Sequence, residues 1–145
     1  MSTILLATDG SLPALAATVR AVAEAKQRSA TLVILRVVEQ SPMTSLELAS
    51  ESAALQRPEG EDGIEYAKEL AALDRVPTTV MVREGPVVGE IIRAAEETGA
   101  EMIVLGTSSL KRLNRLYLGS VAKSVVSQAP VSVLVVKPTK EETKM

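Results

Sequence analysis

Thr3-Ile4-Leu5-Leu6-Ala7-Thr8-Asp9-Gly10-Ser11-Leu12-Pro13 is an apolar run, cut off by a turn and followed at once by helix-forming sequence. Ile4 to Ala7 reads as a short buried strand, and Asp9-Gly10-Ser11 closes it. Ser11 suits a helix cap and Pro13 a first helical turn. From Ala14 to Arg28 the chain is rich in Ala, with Val19 and Val22 three apart, as on one face of an amphipathic helix. Thr31 to Val38 is apolar again and does not alternate, as expected of a strand covered on both faces.

The same rhythm continues. Two helical pieces are expected at about Thr44 to Gln56 and Glu61 to Leu73, broken by Arg57-Pro58-Glu59-Gly60. Thr78 to Val82 is a third strand. Gly85-Pro86 opens a helix to about Thr98, with Ile91, Ile92, Ala94 and Ala95 as its inner stripe and Gly99 as its stop. Ala100 to Leu105 is a fourth strand, Thr107 to Leu116 a polar and basic loop, Gly119 to Gln128 a helix, and Val131 to Val136 a fifth strand. Lys137 to Met145 is a charged tail. Strands alternating with helices mean one α/β domain: an open, five-stranded parallel sheet with helices on both faces, Rossmann-like in type. Ligands of such sheets sit beyond the carboxyl ends of the strands, where strand order reverses. Asp9 ends the first strand and Gly106 the fourth; if those strands are neighbours, both line one crevice.

Composition narrows the chemistry. The 145 residues are 46% hydrophobic but only 1% aromatic, so the core is built from Val, Leu, Ile and Ala. With no Cys, disulfides, thiol catalysis and thiolate metal sites are excluded. With no His, the commonest general base and transition-metal ligand is missing, so zinc enzymes and Ser-His-Asp hydrolases are excluded too. A net charge of −2 gives no electrostatic footprint for nucleic acid. The apolar run at the N-terminus is too short for a signal peptide, and no run spans a membrane, so the expected location is cytoplasmic.

The segment Gly106-Thr107-Ser108-Ser109-Leu110-Lys111-Arg112-Leu113-Asn114-Arg115-Leu116-Tyr117-Leu118-Gly119-Ser120 runs from a strand into a helix. A helix N-terminus offers unpaired amides and a positive dipole end, which suits phosphate. Gly119 lets the backbone approach closely and the Ser120 hydroxyl can donate a hydrogen bond. The segment is neither a Walker loop nor a dinucleotide fingerprint. On the residues alone, Gly119-Ser120 as a plain helix start, with Lys111, Arg112 and Arg115 as a solvated basic face, is the simpler reading.

The chain resembles the universal stress protein family. Members that bind ATP carry Gly, two residues, Gly, nine residues, then Gly-Ser or Gly-Thr, and Gly106, position 109, Gly119 and Ser120 fall on that spacing. Ala7-Thr8-Asp9-Gly10-Ser11 is similar to the family's first strand end, and Arg83-Glu84-Gly85 with Ile91, Ala94 and Ala95 to its third strand and helix. Ala129-Pro130-Val131-Ser132-Val133-Leu134-Val135-Val136 is similar to its last strand. The likeness spans nearly the whole chain except Ser41 to Asp74. It departs at Ser109, where ATP-binding members have Gly, and at Ser108, where many have His. If position 109 needs φ > 0, a Cβ there costs about 1–2 kcal/mol.

The resemblance implies a universal stress protein domain over 1–138 with a charged tail over 139–145, and strand order 3-2-1-4-5. It implies an adenine nucleotide, ATP with Mg²⁺ carried on the phosphates, held by Ala7, Thr8, Asp9, Val37, Gly106, Thr107, Ser109, Gly119, Ser120 and Val121. Asp9 would meet ribose or adenine, although an Asp before Gly also bonds its own backbone. Val37 would read adenine through its backbone, with its side chain in the core. The resemblance further implies a role in stress response or signalling and a homodimer through the edge strand Val131 to Val136, a bare apolar edge being an invitation to pair. No catalytic residue is expected beyond slow ATP hydrolysis. Two other functions fit the family less closely: a nucleotide-free dimer acting through protein partners, and an adenylating enzyme.

Overall fold

A computed structural model describes residues 2–39, 63–107 and 118–138. Among these are five strands and four helices in strict alternation: β1 (Thr3–Ala7), α1 (Leu12–Arg28), β2 (Thr31–Val38), α2 (Ile64–Leu73), β3 (Thr78–Glu84), α3 (Val87–Thr98), β4 (Met102–Gly106), α4 (Ser120–Gln128) and β5 (Ser132–Val136). Each expected element within the described residues forms, with ends displaced by at most a few residues. The expected helix Thr44 to Gln56, the loop after Thr107 and the tail beyond position 138 lie outside the described residues.

All strand pairs are parallel, in the order β3-β2-β1-β4-β5. β1 is the centre: Leu5 lies level with Val33 on one side and Ile103 on the other. The two-residue period of a strand divides the apolar runs between two cores. Ile4, Leu6, Leu32, Ile34 and Val104 face α1 and α2, while Leu5, Val33, Leu35, Ile103 and Leu105 face α3 and α4. Both faces are covered, which is why these strands do not alternate polar with apolar.

One expectation about α1 is corrected. Val22 is buried, but Val19 is half exposed, at 52%. The packed stripe is Ala14, Ala17, Ala21 and Ala25, whose small side chains let the helix lie close on the sheet. Thr18 sits in that stripe fully buried and donates its hydroxyl to the Ala14 carbonyl at 2.8 Å.

Close approach at the strand ends depends on two glycines. A Cβ on Gly106 would lie 2.6 Å from the carbonyl carbon and oxygen of Pro13, so the end of β4 fits against the start of α1 only without a side chain. Gly63 opens α2 at φ 91, and a Cβ there would lie 2.5 Å from Thr8 Oγ1.

Candidate functional site

From β1 the chain leaves toward the face carrying α1, and from β4 toward the opposite face carrying α4. These neighbouring strands therefore form the point where the winding reverses, and the loops part there. A crevice of about 730 Å³ opens at this place, a volume suited to a small ligand.

Its floor is the strand ends at Ala7, Leu105 and Gly106. Thr8 and Asp9 form one wall, Val37 near the end of β2 and Glu39 just past it another. The start of α4, Gly119 to Ala122, stands opposite. Of the residues singled out in the sequence, Ala7, Thr8, Asp9, Val37, Gly106, Gly119, Ser120 and Val121 thus meet around one space. Thr107 does not line it. That residue is buried, and its carbonyl accepts the Gly119 amide at 2.7 Å, which ties together the two ends of the basic loop. Ser109, with Lys111, Arg112 and Arg115, lies outside the described residues.

The wall at β1 satisfies its own polar groups. Thr8 donates its amide to the Leu35 carbonyl at 3.0 Å and accepts the Gly10 amide on Oγ1 at 3.3 Å. Asp9 Oδ1 accepts the Ser11 amide at 2.9 Å, so the turn-forming role of this Asp is real. Ser11 in turn caps α1 by accepting the Ala14 amide at 3.3 Å.

The wall at α4 differs. Gly119 is its N-cap in extended conformation, and no side chain caps the helix. The first intrahelical bond runs from the Lys123 amide to the Gly119 carbonyl at 3.1 Å. Helix geometry therefore leaves the amides of Ser120, Val121 and Ala122 without an intrahelical partner, at the positive end of the dipole.

The β2 wall presents a backbone edge. The Leu35 carbonyl accepts from Thr8 on the β1 side, and the Val38 carbonyl accepts from Gly85 on the β3 side at 3.0 Å. Backbone groups alternate sides along a strand, so the N–H and C=O of Val37 point to the β1 side, where β1 has already ended. They face the crevice, and the Val37 carbonyl accepts Arg36 Nη1 at 2.6 Å.

Several lining residues were not foreseen from sequence: Arg36, Glu39, and Pro86, Val87 and Val88 at the start of α3. Arg36 carried a visible signal, being the one charge in the strand run Thr31 to Val38. Pro86 to Val88 could have been found by extending the strand-end rule to the third strand. Among the described residues no group of three or more His, Cys, Asp or Glu is arranged to hold a metal. No described helix is long and apolar enough to cross a membrane.

Known proteins match both sequence and fold. A universal stress protein of Methanocaldococcus jannaschii is 37% identical, over 96% of this chain and 84% of its own. In three dimensions the chain is similar to the universal stress protein UspA from Lactobacillus plantarum, with a TM-score of 0.79, 26% identity, and coverage of 94% of this chain and 97% of that one. It shares its fold with a universal stress protein solved in complex with cAMP, at a TM-score of 0.71 and 23% identity, over 95% of this chain and 98% of that one. The sequence profile of the universal stress protein family matches residues 1–137, and with this fold and these relatives the chain belongs to that family.

Proposed function

We propose that the crevice binds an adenine nucleotide, ATP with Mg²⁺ as the first choice, and that the protein acts in stress response or signalling through its bound and free states. The observation that carries this reading is the uncapped start of α4, whose amides face a crevice of nucleotide size. The Val37 edge offers polar groups for a base, and the apolar side chains of Val37, Val87 and Ile91 offer it a surface. Asp9, already fixed by its turn, has the position to meet a ribose hydroxyl. Mg²⁺ enters on the phosphates, which supply its oxygen ligands. That a protein of the same fold was solved with cAMP makes adenine the first base to test.

Calorimetric titration with Mg·ATP, beside analysis of nucleotide released from the purified protein on denaturation, decides the matter. Binding in the micromolar range, or co-purified adenine nucleotide, is the expected result. No released nucleotide and no heat up to millimolar ATP leaves the other reading, a nucleotide-free module working through protein contacts.

A homodimer through β5 belongs to the same proposal. β5 is an edge strand whose Val133, Leu134, Val135 and Val136 are only partly buried. Pairing with a second copy would satisfy its open backbone and cover them. Light scattering should give the mass of two chains; a single-chain mass at high micromolar concentration rejects it.

A further inference from the structure

We propose that Arg36 tunes the base specificity of the crevice by competing for the acceptor on its base-reading edge. The inference rests on the nucleotide-binding reading above. Val37 alone would present one donor and one acceptor, N–H and C=O, past the end of β1. That pair complements adenine, whose N1 accepts and whose 6-amino group donates. Arg36 changes the edge. Its Nη1 already bonds the Val37 carbonyl at 2.6 Å, and it lines the same crevice.

The consequence follows from donor and acceptor counting. A guanidinium has five N–H donors and no acceptor. With one of the carbonyl's two lone pairs taken, the edge shows the Val37 N–H, the remaining guanidinium donors and a single acceptor lone pair that a 6-amino group must share with a cation. A 6-oxo purine, with O6 and N7 both acceptors, suits an edge of donors. An adenine amino group at that lone pair stands against the guanidinium donors, so adenine either shares a carbonyl already bonded to Arg36 or displaces the Arg36 side chain. Arg36 therefore weakens the discrimination against 6-oxo purines that Val37 would otherwise provide. The residue is half-buried between the buried Leu35 and Val37 near the end of β2, with its side chain turned back onto the strand's own backbone, so its placement is not the ordinary surface role of an Arg.

The test is the ratio of affinities for Mg·ATP and Mg·ITP, which differ at the 6-position edge and share ribose and phosphates. Removing the positive charge of Arg36 changes the phosphate attraction equally for both, so it cancels in the ratio. In Arg36→Ala the preference for ATP over ITP is expected to rise by about threefold to tenfold over wild type, the effect of one hydrogen bond gained or lost. Arg36→Gln, should the alanine variant fold poorly, is expected to move the ratio the same way. Tight binding of both nucleotides with an unchanged ratio overturns the role of Arg36 and leaves the nucleotide reading standing. Binding of neither nucleotide by wild type or variants overturns both.

Discussion

Two helices, α1 and α4, start at the same end of the same sheet and point their positive dipole ends toward one crevice, but their first turns are built differently. α1 begins with Ser11, whose hydroxyl accepts the Ala14 amide, and with Pro13, which has no N–H to satisfy. The turn before it is closed by Asp9 and Thr8. α4 begins with Gly119, which has no side chain to give, and no acidic residue stands in its first turn. α3, the third helix to start at the crevice, lacks a cap but has Glu90 in its first turn, a carboxylate that answers its dipole. Where a protein completes its own helix start, nothing is left for a ligand. Of the described helices at the crevice, α4 is the one with neither a side-chain cap nor an acidic residue in its first turn, and under the proposed function a phosphate would take that place.

The strongest way to break this comparison is at Gly106. It lines the crevice, so its lack of a side chain could serve a ligand; it also lies where a Cβ would strike the Pro13 backbone at 2.6 Å. Gly106→Ala is expected to lower unfolding stability by about 1–3 kcal/mol, because backbone has to move to make room. Denaturant unfolding without nucleotide measures it. Wild-type stability together with lost nucleotide binding would assign Gly106 to the ligand and not to the join between β4 and α1.

Next in size is a charge placed at the incomplete start. Ser120 is exposed and is the first residue of α4. Ser120→Asp puts a carboxylate among amides that favour it, so stability should hold or rise by about 0.3–1 kcal/mol. The same carboxylate repels phosphate, and Mg·ATP affinity should fall at least about tenfold, as expected of like charges close together in a partly buried site. Undiminished affinity would place the phosphates elsewhere.

The sequence carried the sheet more fully than the site, for a physical reason. Runs such as Ile4 to Ala7 and Thr31 to Val38 are apolar because both faces of each strand are covered, and that signal is local. Strand order is not local; it came from resemblance to a family, and the parallel ladders agree with it. Val19 misleads because a valine three residues from Val22 satisfies helical periodicity, while the sheet selects the alanine stripe for closeness. Gly106 was read as a crevice residue, since nothing in its neighbourhood along the chain announces contact with Pro13. Gly63 is silent in the sequence for the same reason: its constraint is the Thr8 hydroxyl, distant in sequence. Arg36 was visible as an odd charge, but its partner is a carbonyl, and a backbone group has no letter in a sequence.

The completed start can be tested as well. Ser11→Ala removes the hydroxyl that caps α1 and should cost about 1 kcal/mol of stability. Nucleotide affinity should change little, since the freed amide belongs to a helix whose neighbouring turn remains closed by Asp9. A tenfold gain in ATP affinity would mean that α1, once uncapped, competes with α4 for phosphate, and the contrast between the two starts would then be a matter of capping alone.

The smallest expected effect concerns the α3 side of the crevice, where ion pairs join α3 to β3. Arg83, at the end of β3, bonds Glu97 and lies 3.8 Å from Glu90, which also pairs with Arg93 at 3.1 Å. The hydrogen bond from Arg83 holds the Glu97 carboxyl below the usual carboxylate range. A carboxylate lowered in the folded state contributes stability that is present above its ordinary pKa of about 4.3 and is lost as pH falls through the folded value. Glu97→Gln should therefore be slightly less stable than wild type at neutral pH, and the difference should close on acidification below the ordinary carboxylate range. Unfolding curves of both proteins across that range measure it. A difference that persists unchanged at low pH would show that Glu97 holds α3 by packing, and the wall beside Pro86 and Val87 would not loosen with acid.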